Sequence, residues 1–97
     1  MIEKRIEGFE GLTIDPETRL ESRRKLELDG LACVHEKWSW DGVVGETLVF
    51  RESDVGQHDD AALEALARRS GCVELGSAVT MTRDRDGYAF VNFNFRS

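Results

Sequence analysis

The chain is short of the residues that mark most well-defined chemistries. Its 97 residues include only two cysteines, Cys33 and Cys72, and one proline, Pro16. Two thiols do not make a disulfide scaffold. Without a secretion signal they suggest a reducing compartment, so a cytoplasmic location is expected. No apolar run follows the charged start Glu3-Lys4-Arg5, and none elsewhere is long enough to span a bilayer, so no membrane association is expected. Basic residues are outnumbered 13 to 19, for a net charge of −6. That balance disfavours direct contact with nucleic-acid phosphates or anionic lipid. No glycine pattern matches a phosphate loop, and no serine sits in a nucleophile elbow.

What the chain has in abundance is alternation. Three Asp-Gly pairs, Asp29-Gly30, Asp41-Gly42 and Asp86-Gly87, each fall between runs of alternating apolar and polar residues. Asp-Gly supplies the positive φ that a two-residue hairpin turn needs. Residues 1–97 therefore read as a single α+β domain built on an antiparallel sheet. The expected order is a meander of three or four strands, one helix at about 58–70, and a C-terminal hairpin.

In residues 18–28, Arg19, Glu21, Arg23, Lys25 and Glu27 alternate with Leu20, Leu26 and Leu28. Asp15-Pro16-Glu17 resembles a helix start, but the period of two favours a strand. Around Asp41-Gly42, a two-residue turn pairs Trp40 with Val43, Trp38 with Gly45, Lys37 with Glu46 and His35 with Leu48. Trp38 would then cover the bare backbone of Gly45. One face of this hairpin carries Ala32, Val34, Trp38, Trp40, Val43 and Val49, and the other carries Cys33, Val44, Leu48 and Phe50. Both faces are partly apolar, so a helix or another subunit has to cover the second one.

The helix carries Asp59 and Asp60 at its start, Arg68 and Arg69 at its end, and an apolar stripe of Ala62, Leu63, Leu66 and Ala67. Gly71 is placed to end it. In the last hairpin, strands at 77–84 and 88–95, the loop is assigned as Arg85-Asp86-Gly87 with a bulge. That register puts Val79, Met81, Ala89, Val91, Phe93 and Phe95 on one face and leaves Tyr88, Phe90, Asn92 and Asn94 on the other. Residues 2–9 are expected to add a short edge strand.

Sites follow from these placements. Cys33, His35, His58 and Cys72 are the candidate zinc ligands, but no CxxC or HxxxH spacing joins them, so no metal and no cofactor is expected. A Cys–His nucleophile is disfavoured, because Cys33 is mid-strand and Cys72 follows a helix C-terminus. His58-Asp59-Asp60 has the composition of an oriented general base, yet such residues at a helix start ordinarily serve capping. Tyr88 and Phe90, read as exposed among neutral polar neighbours, form the leading partner-binding patch, with Trp38 and Trp40 second. The middle of the chain, 29–64, holds nine acids against Lys37 and Arg51, a net −7 that includes Asp59, Asp60 and Glu64. The function expected is a small, acidic, non-enzymatic protein-binding module. Its concrete form is an inhibitor of the anti-CRISPR or immunity-protein kind, acting on a partner with a basic surface. The alternatives are a homodimer or small enzyme with a ligand pocket at the interface, and a structural subunit that uses its sheet edges.

Overall fold

The computed structural model describes residues 6–13, 16–70 and 78–96. Cys72 and Gly71 lie outside them. Strands β1 (Arg19–Leu28), β2 (Leu31–Trp40) and β3 (Val43–Arg51) form the meander. A four-residue helix α1 (Glu52–Val55) and the longer α2 (Asp60–Arg69) follow, then β4 (Ala78–Arg85) and β5 (Tyr88–Arg96). The five strands make one antiparallel sheet in the order β1-β2-β3-β5-β4. The chain is thus α+β, with the C-terminal hairpin inserted so that β5 is interior and β4 is an edge. No helix among the described residues is long and apolar enough to cross a membrane.

All three Asp-Gly pairs form the turns their composition dictates. Asp29, Asp41 and Asp86 have φ of 49°, 47° and 55°, and the following glycines 79°, 78° and 88°. Both central residues left-handed is the type I′ turn, whose twist matches that of the flanking strands. The β2–β3 register is the expected one, with Trp38 opposite Gly45 and Trp40 opposite Val43.

The last hairpin differs in its loop but not in its faces. Val79, Met81, Val91 and Phe93 share a face as expected, through the pairs Val79↔Phe93 and Met81↔Val91. The turn itself is the two-residue Asp86-Gly87, with Arg85 opposite Tyr88. The one-residue offset is taken up by a bulge between Thr82 and Arg85, where Asp84 has φ 52°. A tight I′ turn and an apolar face are both satisfied this way, which a three-residue loop would not allow.

Two covers lie on the sheet. Helix α2 lays Leu63, Leu66 and Ala67 over Cys33, Leu48, Phe50, Val91 and Phe93, forming the main core. It begins one residue after its cap, Asp59, whose Oδ1 accepts from the Ala62 amide at 2.8 Å. The expected N-terminal strand is not formed by residues 6–9. Instead 6–13 makes two successive turns, with Phe9 and Leu12 amides bonded to the Ile6 and Phe9 carbonyls. Ile6, Phe9 and Leu12 pack on Val34, Val49 and Tyr88 across the opposite face. An apolar residue every third position in a turning segment suits a face cover better than a strand, which would point alternate residues away.

The bulge in β4 is held from the helix side. The Glu52 carboxylate at the start of α1 accepts from the Arg83 guanidinium at 2.5 Å and from the Asp84 amide at 2.9 Å. Arg83 also donates to the Val55 and His58 carbonyls and to Asp60. The guanidinium hydrogen bond, with the Asp84 amide, holds the Glu52 carboxyl below its ordinary pKa. A carboxyl lowered in the folded state stabilises it above the ordinary carboxylate range and loses that contribution as pH falls through the folded value. Glu52→Gln is expected to lower stability by about 2 kcal/mol at pH 7. The difference from the parent should shrink in acid, as read from urea midpoints at pH 7 and pH 3.

Candidate functional site

The turning segment 6–13 covers only the half of its face nearest the Asp29-Gly30 and Asp86-Gly87 turns. Tyr88 lies under it and is 9 % exposed. Its ring stacks on Phe9 at 5.9 Å, and its hydroxyl accepts from the Gly11 amide at 3.1 Å. The reading of Tyr88 as an exposed contact residue is therefore corrected: the aromatic is core, because the N-terminal segment spends its own apolar residues on it. Phe90, one row further along, is only half-buried and meets Tyr88 edge-on.

Beyond Phe90 no described residue covers the face, and a groove of about 400 Å³ crosses it. Its central wall is Trp38. The indole lies so close over Gly45 that any Cβ there would sit inside the ring. Its Nε1 donates to Thr47 Oγ1 at 2.8 Å, and the Thr47 hydroxyl donates in turn to Asn92 Oδ1 at 2.7 Å. The ring is thus fixed in two ways, by shape and by hydrogen bonding, while staying partly open to solvent. Trp40, 48 % exposed, extends the aromatic surface toward the Asp41-Gly42 tip.

The β1 side is closed by an ion pair. Arg23, only 7 % exposed, holds Glu36 at 2.6 Å and donates a further bond to the Thr13 carbonyl. This joins β1, β2 and the end of the N-terminal segment. Two strand irregularities then feed the groove. In β1, Leu20 pairs with Trp38 while Ser22 pairs with Lys37, so a bulge at Glu21 puts Leu20 on the groove face. In β4, Thr82 pairs with Phe90 and Arg85 with Tyr88, so the second bulge brings Arg85 to the same face. Without either bulge, the period of two would send both side chains to the α2 side.

Of the residues singled out from sequence, Trp38, Trp40 and Phe90 come together here. Asp59, Asp60 and Glu64 do not: they belong to α2 and its cap, on the other side of the sheet. Each has work inside the fold, Asp59 as cap, Asp60 with Arg83 at 3.2 Å and Glu64 with Arg68 at 3.0 Å. Cys33 and His35 do share a face, and His58 precedes α2. Among the described residues no three His, Cys, Asp or Glu side chains converge on one point.

His35 is buried, at 1 % exposed. Its Nε2 meets Glu46 Oε1 at 2.8 Å, while Nδ1 is buried without a hydrogen-bond partner among the described residues. Glu46 was expected to face Lys37, and does so in register. Its carboxylate nevertheless reaches the histidine, since a buried imidazole has more to gain from a partner than a solvated ammonium. Burial lowers the His35 pKa below 6.5, against the opposing pull of Glu46.

Comparison with protein-family models, with curated proteins and with solved structures finds no match for this chain. The groove therefore stands on its own geometry. Sequence reasoning placed Asn92 beside Phe90 but missed Arg23, Glu36, Thr47, Leu20 and Arg85 as walls. Arg23 and Glu36 looked like members of a solvated charge alternation, and bulges leave no mark in a pattern of polar and apolar residues.

Two outcomes follow. Gly45→Ala forces the Trp38 indole off the sheet and is expected to lower stability by about 1–3 kcal/mol, with a changed tryptophan emission maximum as the companion signal. For His35, a folded pKa below the unfolded one means the unfolded state takes up the proton first. Stability should therefore fall as pH drops below about 6.5. His35→Gln should remove that part of the slope in urea midpoints between pH 7.5 and 5.5.

Proposed function

We propose that this protein is a non-enzymatic binding module whose recognition surface is the open sheet face around Trp38, and that its occupant is a small molecule. The observation that carries this reading is the immobilised indole. A tryptophan seated on a glycine and held through its Nε1 presents a fixed aromatic wall, so a ligand meets it with little ordering cost. The volume suits the same reading, since small-molecule sites run from about 300 to 1,000 Å³ and combine apolar walls with a few placed polar groups.

Binding rather than catalysis is supported by how the polar lining is used. Arg23 and Glu36 are committed to each other and to Thr13. Thr47 and Asn92 are committed to Trp38 and the Thr80 carbonyl. These groups position the walls and are not placed to transfer a proton. The expectation of a basic protein partner at Asp59, Asp60 and Glu64 draws less support from the fold, because those carboxylates are already engaged by the cap and by arginines.

A fragment screen read by the indole N–H resonances of Trp38 and Trp40 tests the proposal. Binders are expected to shift both signals. Trp38→Leu, which keeps an apolar cover on Gly45, should weaken them about tenfold. Binders that perturb only α2 resonances would overturn it.

A further inference from the structure

Resting on that reading, we infer that the ligand is an organic anion with an elongated apolar or aromatic body, carried on Trp38 and Phe90 with its carboxylate directed to Arg85. The argument is one of charge. Four charged side chains line the groove: Glu17, Arg23, Glu36 and Arg85. Arg23 and Glu36 neutralise each other. Glu17 is engaged and stands at the β1 side, just before the first strand. Arg85 stands on β4, the opposite edge of the sheet. Its side chain is exposed and makes no ion pair or hydrogen bond with any described residue. Arg85 also borders the neighbouring hollow together with Glu36 and Asp86; Asp86 lines that hollow and not the groove, and Glu36 is held by Arg23.

The position of Arg85 is costly to arrange and is arranged from outside the groove. It reaches this face only because β4 is bulged at Arg83 and Asp84. Asp84 accepts a left-handed backbone there, and Glu52 from the helix side binds both bulge residues. Bulges commonly serve to re-aim a side chain, and here the side chain re-aimed is a guanidinium, the group best suited to a carboxylate fork. The body of the ligand is set by the rest of the groove. It runs between the two edges past Leu20, Trp38 and Phe90, so an extended ring system fits it better than a compact polar molecule.

The test uses biphenyl-4-carboxylate and its neutral twin biphenyl-4-carboxamide, titrated into the full chain with heteronuclear NMR following the Trp38 indole and Arg85 Nε–H signals. The carboxylate is expected to bind at least tenfold tighter than the amide, to move both signals, and to lose that margin in 0.5 M salt. Arg85→Gln, a surface change that should leave the urea midpoint in place, is expected to make the two probes equal, and Arg85→Lys to restore part of the difference. If both probes bind equally and Arg85→Gln changes nothing, the anion assignment is overturned while the aromatic groove stands. If neither probe moves the Trp38 signal, the groove itself is not the binding surface and both readings fall.

Discussion

The central strands of this sheet are apolar on both faces, and a sheet of that kind must be covered twice. Leu48 and Phe50 look one way from β3 while Val49 looks the other, and all three are fully buried. Hydrophobic burial contributes about 25 cal/mol for each Å² of apolar surface removed from water, so neither face tolerates being left bare. Helix α2 meets the first demand over Leu48 and Phe50, while Val44, nearer the Asp41-Gly42 tip, stays 41 % exposed. The second is met, among the described residues, by the turning segment 6–13, which packs on Val34, Val49 and Tyr88. The groove is the part of that face beyond the segment. It is lined by residues that can live with partial exposure, namely Trp38, Phe90 and a hydrogen-bonded set of polar groups.

That remainder is held in a definite shape by long-range contacts. Trp38, Thr47 and Asn92 come from β2, β3 and β5 and form one chain of hydrogen bonds across the sheet. Arg23, Glu36 and Thr13 join β1, β2 and the N-terminal cover in another. Buried polar groups of this type are expensive if left unpaired and rigidifying when satisfied. The helix side also reaches through the sheet, since Glu52 and Arg83 stabilise the bulge that turns Arg85 into the groove. A surface on one face thus depends on an ion pair at the other.

The acidity of the chain takes on a different meaning in this light. The carboxylates of α2 cap the helix or pair with arginines, so local structure accounts for them. Exposed pairs such as Arg69 with Asp29 at 3.3 Å, both more than two-thirds exposed, add little to stability and chiefly keep the surface hydrated. Among the aromatics, Trp38, Trp40 and Phe90 keep solvent-accessible surface, while Phe9, Phe50, Tyr88 and Phe93 are buried.

Most of the strand plan was legible from residues alone, and so was the pairing of Trp38 with Gly45. Asp-Gly turns and a period of two are local properties: the turn needs left-handed φ, and alternation decides which residues share a face. The same physics placed Val79 and Met81 with Val91 and Phe93. What local pattern could not decide was where the period breaks. The bulges at Glu21 and at Arg83 and Asp84 are chosen by contacts with β2, β5 and Glu52, distant in sequence, and they alone put Leu20 and Arg85 on the groove face. Nor could it show that Tyr88 and His35 are buried. Tyr88 is covered by a segment more than seventy residues earlier, and His35 by packing that outweighs the charge of its neighbours. Neighbours along the chain set the five strands, the Asp-Gly turns and the faces between bulges, because turn φ and alternation are local properties. Tertiary structure decided which part of a face stays open, because that depends on how far a cover from elsewhere in the chain can reach.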